Sequence, residues 1–153
     1  MEQQLFKEAC AKTPAEATFG NNKAADLFAV AEPLLKGEIN FREGKLSDAI
    51  AMLREAVQKD DLLRYDEPPG WIIPARHALG AFLLANNEAA EAEIVYRDDL
   101  KRWPHNGWSL YGLMKSLKAQ GKSKEASSVE LQWQRAWSRA DVKIEASCKC
   151  AER

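Results

Sequence analysis

Apolar side chains recur at three- and four-residue spacing through most of the chain, the period of an amphipathic helix. Val129, Trp133, Trp137 and Ala140, for example, line one face of a helix predicted over 123–140. The same period predicts helices over 2–12, 24–43, 46–60, 71–86, 88–102 and 107–120. Pro14 and Gly44 stop two of them. Pro33 falls inside the long second helix, where it is expected to kink it or open a new first turn. Pro74 costs little in a first turn, whose N–H groups have no intrahelical partner. AEATFGNN (15–22) reads as a loop, with Asn22 as helix N-cap. Beyond 140 the period changes. Val142, Ile144 and Ala146 alternate, which predicts an extended segment lying over the last helix, or a frayed end.

The helical segments also repeat. LGAFLLANNEAAEAEIVYRDDLKRWP (79–104) aligns with LMKSLKAQGKSKEASSVELQWQRAW (113–137), pairing Leu79 with Leu113, Leu83 with Leu117 and Ala92 with Ala126 at an offset of 34. KGEINFREGKLSDAIAMLREAVQKD (36–60) fits the same frame through Gly37, Gly44 and Ala49. A period of this length built from two helices marks a repeat solenoid. On Leu79-Gly80, Ala92, Tyr96 and Pro104, on Gly37, Gly44, Ala49, Leu53 and Ala56, and on Leu113, Gly121 and Ala126, the chain resembles the tetratricopeptide-repeat (TPR) family. More narrowly, it resembles the C-terminal part of bacterial TPR proteins of unassigned role. Departures are Asn87 at a turn otherwise held by glycine, Asp99 and Trp133 at a late small position, and Met114 at an early one.

The resemblance implies an all-α fold, a right-handed superhelix of antiparallel helix pairs. It implies a half repeat at 1–14, repeats at about 30–63, 73–106 and 107–140, and a C-terminal tail at 141–153. Phe6, Ala9 and Pro14 match the second helix of a repeat, so 2–12 is expected to be a docking cap or the severed end of a longer array.

The resemblance further implies that the first helix of each pair lines a concave groove. The groove residues would then be Glu38, Phe41 and Arg42 in the first repeat, His77 and Leu84 in the second, and Trp108, Tyr111, Lys115 and Lys118 in the third. Aromatic and apolar groups mixed with a few charges suit a peptide or an extended protein segment. The expected function is a protein–protein interaction module. The lysines and asparagines by which one TPR subclass clamps acidic chaperone C-termini are missing: Leu34, Glu38, Ala78, Trp108 and Gly112 stand there. No such partner is expected.

The stretch YDEPPGW (65–71) lies where the repeat frame is stretched. Gly37 and Gly80 are 43 residues apart, nine more than the repeat. Pro68-Pro69 stiffens this insertion. It is expected to anchor Trp71 and to present Tyr65 and Glu67 at the groove rim.

Charge and chemistry narrow the classes. A formal net charge of −1 and a pI of about 6.2 make no electrostatic case for nucleic acid or an anionic membrane. The N-terminus lacks a basic segment followed by an apolar run, and a cytoplasmic setting is expected. There is no HExxH, phosphate loop or nucleophile elbow, so neither a catalytic site nor a cofactor is expected. His77 is expected to be a groove contact and His105, in WPHNGW, to shape a turn. The three cysteines do not make a disulfide framework. The alternative function is a thiol or soft-metal module built on Cys148 and Cys150. A closed zinc site would need four ligands, and Cys10, His77 and His105 lie far away in sequence.

Overall fold

The computed structural model describes residues 1–151. Seven α-helices account for most of the described chain, with one two-stranded hairpin. In order they are α1 (Glu2–Lys12), β1 (Thr18–Phe19), β2 (Asn22–Lys23), α2 (Ala24–Arg42), α3 (Leu46–Asp60), α4 (Ala75–Ala85), α5 (Ala89–Arg102), α6 (Gly107–Ala119) and α7 (Ser123–Ala136). No helix among the described residues is long and apolar enough to cross a membrane. The chain forms two compact units, Met1–Ala75 and Arg76–Arg153.

The same turn closes α2, α4 and α6. The residue after each helix reversal is left-handed: Gly44 at φ 77°, Asn87 at φ 62° and Gly121 at φ 73°. At each, the left-handed residue donates its N–H to the carbonyl three back (Phe41, Leu84, Lys118), at 3.1 Å in all three. The next residue donates five back, Lys45 to Asn40, Glu88 to Leu83 and Lys122 to Leu117, at 2.8, 2.9 and 3.0 Å. This paired closure satisfies carbonyls that a helix end leaves orphaned. Asn87 and Gly121 are separated by the sequence repeat, so the periodicity is present at the level of backbone hydrogen bonds.

In the first unit α2 packs on α3 through Gly37, where a Cβ would stand 3.0 Å from Leu53 Cγ and 3.2 Å from the Ala49 carbonyl. Val30, Ile50, Leu53 and Ala56 fill the core around it. Pro33 is buried inside an α2 that continues through it. The helix α1 leans on α2 through an edge-to-face contact of Phe6 with Phe28, centroids 6.1 Å apart, and buries no residue completely.

Four predicted boundaries are corrected. AEATFGNN holds the β1–β2 hairpin, not only a loop. Lys23, not Asn22, is the N-cap of α2, because the Asn22 side chain is used elsewhere: Oδ1 accepts from Arg64 N–H at 2.7 Å and Nδ2 donates to Arg64 O at 3.1 Å. Residues 71–73 are bends, and α4 starts at Ala75, directly after the proline that cannot donate a helical hydrogen bond. α7 ends at Ala136, leaving Ala140 exposed.

Asn87 pays for left-handed backbone that glycine adopts freely. Asn87→Gly should keep or raise the melting temperature, whereas Asn87→Ala should cost about 1 kcal/mol. Equal effects of the two in urea unfolding would show that this residue is not left-handed.

Candidate functional site

The second unit is organised around Tyr96. Ala92, Tyr96 and Asp99 form one stripe of α5, and all three are fully buried. The Tyr96 ring lies against the backbone of Gly80 in α4 and of Gly112 in α6. A methyl group at either glycine would overlap the ring. The ring therefore passes between two helices, and its hydroxyl emerges on the side of α4 and α6 away from α5.

There it meets the C-terminal tail. Tyr96 Oη lies 2.5 Å from Ser147 Oγ, and Ser147 Oγ donates to the His77 carbonyl at 2.9 Å. Serine has one hydroxyl hydrogen, so with that hydrogen on His77 the tyrosine is the donor. Burial pushes the Tyr96 hydroxyl well above its ordinary range, the Ser147 bond opposes this and the nearby Asp99 adds to it. The group stays protonated. The tail is also held by Trp137 Nε1, which donates to Val142 O at 2.9 Å, and by Ile144, which is buried. It crosses from the end of α7 to α4, so the expectation of a segment lying over the last helix holds only at its start.

Beneath the tail is a second polar group. Asp99 Oδ2 accepts from Ser109 Oγ at 2.5 Å and lies 3.2 Å from His77 Nε2. Asp99 Oδ1 is buried without a partner. The carboxylate stands between hydroxyl and imidazole, so the imidazole has no route to the serine proton. The three side chains clamp α4, α5 and α6 together and do not form an activated nucleophile.

His77, expected as a groove contact, lies with its ring against Asp99 and under the tail. The residue is only 3 % exposed, and its backbone carbonyl faces the tail. The predicted stripe of α6 is half-engaged by α7. Trp108 meets Trp137 edge-to-face at 5.4 Å, Tyr111 meets Trp133 at 5.4 Å, and Lys118 pairs with Glu130 at 3.0 Å. Lys115 is exposed, its ammonium 6.0 Å from the Tyr111 ring centre, and Leu84 on α4 is half-buried.

In the first unit Glu38 and Phe41 are half-buried and Arg42 is exposed. Burial raises the Glu38 carboxyl, against the lowering effect of Arg42. The insertion is tied to the hairpin of its own unit. Asp66 Oδ2 accepts from Asn21 N–H at 2.8 Å, and Asn21 Nδ2 donates to Tyr65 O at 2.8 Å. Tyr65 and Glu67 are exposed and hydrogen-bond each other, which raises the tyrosine hydroxyl. Trp71 is half-buried, with a buried Nε1 that has no partner.

Cys148 and Cys150 are joined as a disulfide, Cα atoms 5.2 Å apart, and Cys10 is free. In this state the pair offers no thiolate to a metal. No group of three or more His, Cys, Asp or Glu able to hold an ion occurs among the described residues. His105 is left-handed at φ 67°, and the adjacent Asn106 caps α6 by accepting from Trp108 and Ser109 N–H.

No protein-family model matches the chain, nor does any curated protein or solved structure.

The residues that sequence reasoning missed are Asp99, Ser109 and Ser147. Asp99 carried a signal, since it falls on the Ala92–Tyr96 helical stripe. Ser147 carried none, because the tail's alternation points to Ala146 instead.

Glu93, nearly buried on α5, ties that helix to the α6–α7 turn. It accepts from Lys122 Nζ at 2.7 Å, Gln120 Nε2 at 2.8 Å and Arg97 Nε at 2.8 Å. The Lys122 bond, helped by Gln120 and Arg97 and opposed by burial, lowers its carboxyl to about 2. The unfolded value is about 4.3, so this stabilisation is complete above that and is lost as pH falls through about 2. Glu93→Gln should therefore destabilise at pH 7 and flatten the fall in stability between about pH 4 and pH 2. Urea unfolding across that range decides; a variant curve parallel to wild type at every pH contradicts the assignment.

Proposed function

We propose that the chain is a non-catalytic, TPR-type interaction module. It binds an extended protein segment on the face of α4 and α6 that lies away from α5. The observation that carries this reading is the contact of Tyr96 with Ser147: a buried aromatic, threaded between two glycines, delivers a hydroxyl to the C-terminal tail where it bends over that face. The three identical helix turns, spaced as in the sequence repeat for α4 and α6, support the family assignment. Of the predicted groove residues in this unit, half-buried Leu84 and exposed Lys115 would supply an apolar contact and a cation at its margin.

Selection of peptides from a random display library on the wild-type chain tests this. Recovered peptides should bind Lys115→Glu and Leu84→Glu at least about tenfold more weakly. Lys115→Glu should leave stability within about 0.5 kcal/mol, as exposed substitutions do. Peptides indifferent to both changes, or no recovered peptide, contradict the reading.

A further inference from the structure

We infer that residues 141–151 are a resident, displaceable occupant of the α4/α6 face. The partner that takes their place is a peptide segment, bent as the tail is at 145–148, that carries a serine or threonine three residues after an apolar side chain. This rests on the reading of that face as a peptide-binding surface, and it specifies the ligand class.

The tail engages the unit as a ligand does. Two side chains are buried, Ile144 and Ser147, while Val142, Lys143, Glu145 and Lys149 remain exposed. The anchor at Ser147 is made through its hydroxyl, and this chemistry is selective. Tyr96 Oη is a protonated, buried donor and needs an acceptor. The His77 carbonyl, 2.9 Å from the same Oγ, takes a donor. One small group must therefore accept and donate at once, and among short side chains only the hydroxyls of serine and threonine do so. Alanine would leave the tyrosine hydroxyl unpaired. Aspartate would set a carboxylate against the carbonyl. The apolar position is fixed by Ile144, three residues before the hydroxyl.

The tether explains why the face is occupied. Val142 O is fastened to Trp137 at the end of α7, leaving a short run of chain to Ile144 and Ser147. A tethered segment acts at an effective concentration of ~1 mM. A free segment of the same intrinsic affinity cannot compete at micromolar concentration. It gains access when it binds more tightly or when the tail anchors are weakened.

The test uses the full chain and a fluorescent peptide of residues 141–147, DVKIEAS. Anisotropy should show the peptide binding the Ile144→Asp chain at least about tenfold more tightly than wild type, because the variant tail no longer competes. Replacing the peptide's serine by alanine should weaken binding about fivefold, and threonine should restore it. Amide exchange on the unmodified chain keeps the test decisive should Ile144→Asp lose its helicity. Amides 144–148 should open at least about tenfold more often than the slowest amides of α5 and α6. Tail amides that exchange only with global unfolding overturn the proposal, as does a peptide indifferent to Ser→Ala. Display peptides that bind the face but lack any hydroxyl requirement overturn this inference and leave the binding reading standing. Absence of any peptide binding while the tail opens independently overturns both.

Discussion

The second unit depends on one side chain occupying space that two glycines leave open. A ring the size of Tyr96 fits between α4 and α6 only because Gly80 and Gly112 present bare backbone to it. Its burial contributes apolar stabilisation of the kind that aromatic residues supply in small cores. Its hydroxyl must then be satisfied on the far side, and the tail serine does this. The packing of α5 behind the two helices and the docking of the tail before them are thus two ends of one residue. The Asp99 clamp lies one turn further along the same stripe and fixes Ser109 of α6 and His77 of α4 in register around the ring.

Charge plays a different part. Glu93 ties α5 to the turn that begins α7, and its three donors outweigh the cost of nearly burying a carboxylate. The aromatic cluster of Trp108, Tyr111, Trp133 and Trp137 closes the other end of the α6–α7 pair. Trp137 also holds the start of the tail, so the same cluster that seals the hairpin directs the chain back across it. The insertion in the first unit works by simpler means. Asn21, Asn22 and Asp66 exchange hydrogen bonds between a tight hairpin and an irregular loop, pairing backbone groups that no helix or sheet serves.

Helix existence and type were legible in the sequence, because each helix carries a periodic stripe, and α2, α4 and α6 each run into a left-handed turn. The repeat frame was legible for the same reason: Asn87 and Gly121 perform one job 34 residues apart. What escaped was polar and non-local. Asp99 reads only as a departure at a late small position until Tyr96 shows which side of α5 faces inward. His77 reads as a groove residue until Asp99 is known to sit behind it. Ser147 has no local pattern, since its burial is decided by a tyrosine 51 residues earlier. The short β1–β2 hairpin escaped because two-residue strands have no period to detect, and its stability comes from Arg64, Tyr65 and Asp66 far along the chain.

The central claim is that the Tyr96 hydroxyl couples the helical core to the tail. A double-mutant cycle of Tyr96→Phe and Ser147→Ala, read by urea unfolding, tests it most directly. The account predicts a coupling of about 1 kcal/mol, with the double variant no less stable than the worse of the single ones. Strictly additive losses would mean that the two hydroxyls do not meet, and would contradict it.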